Sequence, residues 1–544
     1  MSIQRSCEAD LVLHNGRIVT VDDDFNRADS IAVRDGRFIS VGALEDVKQL
    51  IGEDTEVIDL EGRMVLPGLV DSHIHMLGTG QALQLLNVRS PPMRSIDDIK
   101  DAVAERSSKV EAGDWVLGRG WDQAKLKEYR NPTRWDLDEA APDNPVFLRR
   151  TCGHVAVVNS TALEIAGIRV DAPDPEGGRI VREDGEVTGI LEERAMSLVE
   201  RHIPEPSIEE KVEYIEEASI AFNQAGLTSV IEPGIEEEDM RTYQLALEEG
   251  KLTVRVGFML RAVQGEEDIE RSIKRIKGFP LRSGFGNDML RFQGVKILID
   301  GGIGGRTALL RQPYEGELEN KGILTLPVDD LQRLVDAANI NGMLTGIHAA
   351  GGRAMDIVMD VYEETDKVKP IRGRRFYLIH AYLPSEEIFE ACRRLGVNVA
   401  SQPSFLYYLG DSFHENIGPE RGAWVKPHRA WIDEGVHVAA GTDSPVTPFN
   451  PFPSLWASIA RRTEVEDTKM GEEQGVTREE VIRLYTINGA YLNFEEDVKG
   501  SIEPGKLADM IIIDRDILTC PEDDIKETRV LRTFLGGRTV YKAH

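Results

Sequence analysis

Short apolar runs alternate with amphipathic stretches through the middle of the chain. The runs have the length of buried strands, and the stretches between them show the three- and four-residue apolar spacing of helices. The predicted strands are VFLRRT, LTSVIEPG, LTVRVGFML, RFQGVKILIDGG, LTGIHAAGG, FYLIHAYL, NVASQPSF and HVAAGTDSPV. The predicted helices include SIEEKVEYIEEASIAFNQAG, VDDLQRLVDAANING and REEVIRLYTINGAYL. This alternation favours a parallel α/β barrel over a doubly wound sheet, because no G-x-G-x-x-G follows an early strand.

Both ends of the chain are rich in short β-type runs. Near the start, the turns HNG, RDG and LEG separate such runs and predict hairpins. Near the other end, GKLADMIIIDRDI and VLRTFLGGRTVYKA repeat the pattern around a Gly-Gly turn. We therefore expect the two ends to form one sheet assembly. Residues from about 80 to 200 interrupt the alternation with charged and turn-rich sequence, which predicts an insertion over one face of the barrel.

Composition narrows the classes of partner. The 544 residues are 41% hydrophobic, enough for a sizeable core, and the net charge is −30. Such an acidic protein repels nucleic acid and anionic membrane, so neither is an expected partner. The sequence has no secretory signal pattern and no apolar run of membrane-spanning length. Its four cysteines are widely separated, which fits a reducing compartment, and we expect a cytoplasmic protein.

Several predicted strands carry a metal-competent or ionisable residue at or near the carboxyl end. The carboxyl ends of barrel strands face one mouth, where active sites lie. The sequence therefore predicts one shared site. Its candidate residues are His73, His75, Lys296, Asp300, His348, His380 and Asp443.

The segment DSHIHM places two histidines one residue apart after the apolar run MVLPGLV. On a strand, His73 and His75 would project to the same side and could share one divalent cation. Asp71 has the same parity and could orient a ligand. Taken alone, each histidine is also compatible with a hydrogen-bonded core residue. The joint occurrence of these residues in this order is the specific signal.

Lys296 lies within an apolar strand, where a charged ammonium group is unfavourable. It could pair with Asp300, extend to the mouth, or react with CO2 to form a carbamate that bridges two metal ions. Asp443 follows VAAG and precedes Ser-Pro, so a turn or capping role is the alternative to a site role.

These motifs resemble the amidohydrolase superfamily of metal-dependent hydrolases. The similarity is strongest to its YtcJ-like branch, which includes N-substituted formamide deformylases. It rests on LPGLVDSHIHM, GRGWDQ, CGHVAVVNSTAL, VKILIDGGIGGRTALLRQPY, GIHAAGGRAMD, LIHAYL, GTDSPV and TINGAYLNFEEDVKGSIEPGKLADMIIID. The resemblance implies a distorted (β/α)8 barrel, similar to a TIM barrel, with a small β-sandwich domain formed by both chain ends. The sandwich would comprise residues 1–66 and 498–544, and the barrel residues 67–497.

The resemblance also implies a centre of one or two divalent metal ions, with zinc as the expected metal. His73 and His75 would bind the first ion, His348 and His380 the second, and carboxylated Lys296 would bridge them. Asp443 would be a ligand and the general base. In a single-metal form, one later histidine would join His73, His75 and Asp443. A bound divalent cation lowers the pKa of its water toward ~7 and so supplies hydroxide at neutral pH.

Further residues match family segments. His154 or Arg306 could polarise the scissile carbonyl, and Arg306 could bind a substrate carboxylate or pair with a structural acid. Trp121 and Asp122 could line the pocket, or Trp121 could anchor the insertion. Gly352 stands where the branch commonly has an aspartate, which puts a carboxylate at that point in doubt.

The sequence thus predicts a hydrolase for a C–N bond in a small molecule, most simply a linear amide such as an N-substituted formamide or N-acyl amine. A cyclic amide hydrolase or deaminase is an alternative, with Glu232 as the nearest candidate for the helper glutamate of a deaminase. An ester substrate and a non-catalytic binding protein on the same fold are further alternatives. The oligomeric state stays open, with a homodimer among the options.

Overall fold

The computed structural model describes residues 8–90, 92–150, 155–175, 177–264 and 267–543. In chain order, the strands are β1 Leu11–His14, β2 Arg17–Val19, β3 Arg27–Ala28, β4 Ser30–Arg34, β5 Arg37–Gly42, β6 Glu56–Asp59, β7 Met64–Pro67, β8 Leu69–Asp71, β9 Leu86–Asn87, β10 Val116–Arg119, β11 Val146–Arg149, β12 Val155–Val158, β13 Gly178–Glu183, β14 Glu186–Glu193, β15 Leu227–Ile235, β16 Arg255–Arg261, β17 Leu290–Leu298, β18 Leu344–Ala349, β19 Tyr377–His380, β20 Asn398–Ser401, β21 Val438–Ala440, β22 Met510–Ile513, β23 Val530–Leu535 and β24 Arg538–Lys542.

The helices, also in chain order, are α1 Leu44–Lys48, α2 Met76–Gln84, α3 Ile96–Ser107, α4 Arg134–Ala140, α5 Ser160–Ile165, α6 Ser197–Glu200, α7 Ile208–Gln224, α8 Glu237–Glu248, α9 Ile269–Gly278, α10 Val328–Ile340, α11 Gly352–Val368, α12 Glu386–Leu395, α13 Ser404–Ala423, α14 His428–Asp433, α15 Pro451–Ala460, α16 Arg478–Leu484 and α17 Ile487–Leu492. Short 3-10 helices lie at Gln123–Lys125, Glu472–Gln474 and Glu522–Glu527.

An eight-stranded parallel sheet forms the centre of the fold. Its strands follow chain order, β8-β15-β16-β17-β18-β19-β20-β21, and every neighbouring pair is parallel. The first and last strands approach each other, because Ser72 N donates to Ala440 O at 2.9 Å and Asp443 N donates to His73 O at 2.7 Å. The sheet is therefore a nearly closed barrel, which confirms the predicted fold class.

Helices between the strands bury one apolar stripe each. In α10 the buried positions include Leu331, Leu334, Val335 and Ala338, which have the spacing of one helical face. The predicted helix REEVIRLYTINGAYL is wrong in one respect, because the structure divides it into α16 and α17. Thr486, at the break, donates its hydroxyl to Ile482 O at 2.6 Å, so the side chain competes with regular helix bonding at this point.

The two chain ends form two β-sheets, with strand orders β5-β4-β1-β6 and β24-β23-β22-β7-β2-β3. In the second sheet, β22 from the C-terminal part pairs antiparallel with β7 from the N-terminal part. This pairing confirms that both ends build a small β domain. Its core includes side chains from both parts of the chain, among them Leu13, Val65, Met510 and Phe534.

The hairpin predictions are only partly correct. The RDG turn joins the antiparallel neighbours β4 and β5, and the Gly-Gly turn joins β23 and β24. The HNG and LEG turns instead lead from one sheet to the other, since β1 and β6 lie in the first sheet while β2 and β7 lie in the second. A tight turn fixes the local reversal but does not determine which sheet its strands join.

The chain divides into two compact units, one of them Gly80–Tyr214 and the other the chain before and after it. The Gly80–Tyr214 unit has its own six-stranded sheet, in the order β13-β14-β12-β11-β10-β9. The predicted strand VFLRRT belongs to this sheet as β11 and not to the barrel, whose first strand is β8. The exact domain boundaries given by the sequence analysis stay predictions.

Candidate metal centre

Polar residues at and after the carboxyl ends of the barrel strands line one cavity of about 450 Å³. This arrangement follows from parallel strands, whose carboxyl ends all open at the same mouth. The cavity brings together every metal-binding candidate that the sequence named. Its polar lining consists of His73, His75, Arg261, Lys296, Thr325, His348, His380 and Asp443.

His73, His75 and Asp443 form the tightest group of potential ligands. Their ligand atoms all lie within 4.8 Å of one another, and no other group of His, Cys, Asp and Glu of this kind was found among the described residues. Asp443 Oδ1 is 3.5 Å from His73 Nε2 and 3.3 Å from His75 Nε2. The three side chains therefore converge on one point, as binding of a single cation requires.

The backbone reason for this convergence differs from the predicted one. Strand β8 ends at Asp71, so His73 and His75 follow the strand and the alternation of side chains along it does not apply. Hydrogen bonds hold the segment instead, from Ile74 N to Ile231 O at 3.0 Å and from His75 N to Ser444 O at 2.9 Å. The segment is thus fixed between the second strand of the barrel and the loop after the eighth.

Asp71 holds the loop that carries Asp443. Its carboxylate accepts hydrogen bonds from Thr442 N at 3.0 Å, from Thr442 Oγ1 at 2.6 Å and from His73 N at 3.0 Å. Burial raises the pKa of Asp71 to about 7, although these hydrogen bonds oppose the shift. Asp71 is completely buried and joins two site segments from behind. Its predicted role in orienting a ligand stays a prediction.

His348 is oriented by backbone and carboxylate groups at one ring nitrogen. Its Nε2 lies 3.2 Å from Gly301 O and 3.5 Å from Asp300 Oδ1, which leaves Nδ1 as the atom for a ligand. Asp300 is held by three backbone donors, at Leu309, Ala350 and Gly351. The carboxylate that Gly352 put in doubt is therefore supplied near His348 by Asp300.

Gly352 lies close to two neighbouring loops. A Cβ placed there would lie 2.7 Å from Arg311 Nη1 and 3.0 Å from Leu383 O. A side chain at this position would therefore require the flexible Arg311 side chain to move.

His380 is oriented by a residue that the sequence analysis missed. Gln402 Oε1 lies 2.6 Å from His380 Nδ1, so the ring directs Nε2 toward Asp443 Oδ2, 3.9 Å away. Gln402 in turn accepts a hydrogen bond from the buried Lys426 at 3.2 Å. Gln402 directly follows β20, so the rule of polar residues at strand ends could have identified it.

The imidazoles deep in the cavity are neutral. Burial lowers the pKa of His348 to about 3 and those of His73 and His380 well below the usual range, and nearby positive charges act in the same direction. The Nδ1 of His73 is buried, and none of the described residues gives it a hydrogen bond. Neutral nitrogens beside a carboxylate are suitable ligands for a first-row divalent cation, and the residues fit such an ion.

Lys296 lines the cavity, and none of the described residues forms an ion pair with it. Burial lowers the pKa of its amine to about 7. The described residues offer no carboxylate within 4.0 Å of its Nζ, so it is not paired with Asp300. Its side chain lies beside Gly234, where a Cβ would be 3.6 Å from Lys296 Cγ. A neutral amine of this kind can react with CO2.

Glu232 lies behind His75 and is buried. One of its oxygens accepts hydrogen bonds from Met76 N, Leu77 N and Tyr243 Oη, the last at 2.8 Å. The other oxygen is 3.9 Å from His75 Nδ1. These contacts are those of a residue that orients His75, and Glu232 is not among the cavity-lining residues.

Three of the remaining candidates have contacts of their own. Arg306 is bound by Asn416 Oδ1 at 2.9 Å and pairs with Glu317 at 2.5 Å. Trp121 is buried in the core of the Gly80–Tyr214 unit, where its Nε1 donates to Asn131 at 3.2 Å, and Asp122 pairs with Arg150 at 3.3 Å. His154 lies outside the described residues. The catalytic and substrate-binding roles of these four residues stay predictions.

Comparison with known proteins assigns the family. The amidohydrolase family model matches residues 56–541. The chain belongs to the amidohydrolase family. A protein of Bacillus subtilis (strain 168) named YtcJ is 30% identical to it over 98% of this chain and 99% of its own length. The N-substituted formamide deformylase of Arthrobacter pascens is 29% identical, over 98% of each chain.

A solved structure agrees with the fold. The crystal structure of a metal-dependent hydrolase from Pyrococcus horikoshii OT3 superposes with a TM-score of 0.77 and 28% identity, covering 94% of this chain and 99% of that one. This amidohydrolase is therefore a metal-dependent hydrolase that acts on C–N bonds. Within the described residues, every helix is too short or too polar to cross a membrane.

Proposed function

We propose that this amidohydrolase hydrolyses the C–N bond of a linear amide, of the type of an N-substituted formamide or an N-acyl amine. The observation that carries the proposal is the convergence of His73, His75 and Asp443 at one end of an open cavity. The resemblance to a formamide deformylase along the whole chain supports the substrate class. The expected partner is a small molecule, and a homodimer stays a prediction.

The residues take distinct roles in this proposal. His73, His75 and Asp443 would hold a divalent ion, for which zinc suits the imidazole-rich ligand set. When bound there, such an ion would lower the pKa of a water molecule and polarise the scissile carbonyl. Asp443 also accepts the proton of the attacking water and delivers it to the leaving nitrogen. Its two oxygens face different histidines, His75 and His380, which places its carboxylate at the centre of the site.

The number of metal ions depends on Lys296. As a carbamate, Lys296 would become an anionic ligand together with His348 and His380 for a second ion. Unmodified, it would leave a single ion at His73, His75 and Asp443, joined by one later histidine, His348 or His380. Intact mass measured under non-acidic conditions, with and without added bicarbonate, distinguishes the two forms through the mass of one CO2.

The test is turnover of a panel of amides by protein reconstituted with zinc or manganese. The panel contains N-benzylformamide, an N-acetyl amine, a cyclic imide and adenine. We expect hydrolysis of the linear amides, with formate or acetate released. Hydrolysis of only the cyclic imide or adenine would contradict the proposed substrate class, and turnover of none by the metal-loaded protein would contradict the proposed activity.

A further inference from the structure

Among the described residues that line the cavity, Arg261 is an arginine without an acidic partner. Arg261 is the last residue of β16, and its Cα is paired in register with that of Lys296 on β17. Its Nε donates to Gly234 O at 3.0 Å. The described residues offer its two terminal nitrogens no hydrogen bond or ion pair, so Arg261 presents a free guanidinium edge at the cavity.

The backbone holds this guanidinium in position. Gly234 has a left-handed φ of +78°, and a Cβ there would lie 3.7 Å from Arg261 Nε and 3.6 Å from Lys296 Cγ. These two atoms are therefore at most about 7 Å apart. The carbonyl of Arg261 is itself fixed, since it accepts a hydrogen bond from Arg275 at 3.1 Å. One hydrogen bond from Nε thus ties the otherwise exposed Arg261 side chain to the loop of Gly234.

Other arginines near the barrel mouth are already engaged. Arg306 is shared among Asn416, Glu315 O and Glu317. Arg275 pairs with Glu267 and Glu237, and Arg311 pairs with Asp356. Of these side chains only Arg261 lines the cavity. A free guanidinium fork binds a carboxylate through two parallel hydrogen bonds.

The wall next to Arg261 is apolar. Leu298 and Val446 line the cavity and are 50% and 58% exposed, and Val263 and Leu326 add further apolar surface. Exposed aliphatic side chains around a polar site are suited to the hydrocarbon part of a ligand. The protein as a whole carries a charge of −30, so the guanidinium of Arg261 is a local positive charge at the mouth that can attract an anion.

We propose that Arg261 and this apolar wall form a carboxylate-binding subsite, so that preferred substrates are amides that carry a carboxylate a few bonds from the scissile bond. This inference rests on the proposed amide hydrolysis and narrows its substrate class. Arg261 is the specificity-determining residue, in the role that the sequence analysis considered for Arg306. The carboxylate can lie on the amine side or on the acyl side of the amide.

Matched substrates test the subsite. N-formylphenylalanine and N-formylphenethylamine differ only in a carboxylate on the amine side. N-benzylsuccinamic acid and N-benzylpropanamide differ only in a carboxylate on the acyl side. We expect the holoenzyme to prefer the acid of one pair by about 10- to 100-fold in kcat/KM, as a charge-assisted hydrogen-bond pair provides. The pair that shows the preference identifies the side.

Substitution of Arg261 completes the test. In Arg261→Gln the preference for the acid should disappear, because KM rises for the acid far more than for the neutral amide. Arg261→Lys keeps the positive charge but lacks the two parallel N–H groups of the guanidinium, so it should retain part of the preference for the acid. Arg271→Gln is the control. It removes an arginine on α9 whose side chain is 79% exposed, and kcat/KM should stay the same for both the acid and the neutral amide. An equal preference in wild type and Arg261→Gln would overturn the proposal.

A binding measurement separates this inference from the proposed function. Calorimetric titration of the holoenzyme with 4-phenylbutanoate, and with 4-phenylbutan-1-ol as neutral control, requires no turnover. If the carboxylate binds at least about tenfold more tightly and Arg261→Gln removes the difference, the subsite stands even when no amide is hydrolysed. If amides are hydrolysed but neither measurement depends on Arg261, the subsite fails while the proposed function stands.

Discussion

At the scale of single residues, the site consists of a few potential metal ligands whose side chains are oriented by buried neighbours. Gln402 and Asp300 each engage one ring nitrogen of a histidine and leave the other nitrogen for the cavity. Asp71 accepts a hydrogen bond from Thr442 and so holds the loop that carries Asp443. The orientation of His348, His380 and Asp443 therefore depends on residues that do not line the cavity.

Asp443→Asn should lower kcat by at least about 10² to 10⁴, because an amide neither accepts the proton of water nor supplies a negative charge to the ion. Asn tolerates the left-handed φ of 57° at this position, so circular dichroism and thermal unfolding should match wild type. Asp35→Asn is the matched control, since Asp35 has a φ of 50° and a side chain that is 92% exposed. Near-normal kcat in Asp443→Asn would exclude its role as base.

Gln402→Leu should weaken metal binding by about 10- to 100-fold, because His380 loses the acceptor that fixes its ring. Gln402→Glu keeps an oxygen at that point and should retain the metal. The measurement is the concentration of chelator that removes half of the metal. If Leu and Glu variants lose metal at the same chelator concentration, Gln402 does not position His380.

At the scale of secondary-structure elements, the sequence predicted the barrel strands well because they are continuous apolar runs that end in polar residues. Gln402 and Arg261 also lie at strand ends and obey the same rule. They were not predicted because an amide and a guanidinium are not metal ligands of the usual kind. The sheet that the strands beside the HNG and LEG turns join could not be predicted, since it depends on tertiary packing. The break between α16 and α17 lies at Thr486, whose hydroxyl bonds the backbone of Ile482, and apolar spacing does not reveal such a bond. The convergence of His73 and His75 likewise depends on bonds to other strands.

A buried ion pair joins β16 of the barrel to the C-terminal part of the chain. Arg255 and Asp509 form two hydrogen bonds, at 2.7 and 2.8 Å, and their side chains are 6% and 4% exposed. Asp509→Ala leaves a buried guanidinium unpaired and should lower the free energy of unfolding by about 3–5 kcal/mol. Urea unfolding followed by tryptophan fluorescence measures this change.

The control for this prediction is Glu364→Ala. Glu364 pairs with Lys367 at the surface, where both side chains are more than 60% exposed, so its removal should leave the unfolding curve almost unchanged. Similar curves for the Asp509 and Glu364 variants would show that the buried pair does not hold the two elements together.

At the scale of the whole molecule, chain ends that are far apart in sequence build one β domain, and the Gly80–Tyr214 unit has its own sheet. The sequence indicated both features through changes in composition and in the spacing of apolar residues. It did not indicate that the 80–214 stretch holds two separate hydrophobic clusters, one on either side of its sheet strands.

The Gly80–Tyr214 segment should fold when expressed alone, because its internal clusters bury residues such as Val116, Leu148 and Leu191 without help from other parts of the chain. A cooperative thermal transition and dispersed amide proton resonances are the expected results. A fragment that unfolds without a transition would show that the segment depends on the rest of the protein.

The central claim is that His73, His75 and Asp443 hold the catalytic metal. The most direct measurement is elemental analysis of metal per chain for wild type and His75→Ala, both purified without chelator and then dialysed against zinc. We predict at least about one ion per chain in wild type, with loss of that ion and of amide turnover in His75→Ala at unchanged secondary structure. Wild-type protein that binds no metal, or a His75→Ala protein that keeps both the full metal content and the activity, would contradict the account.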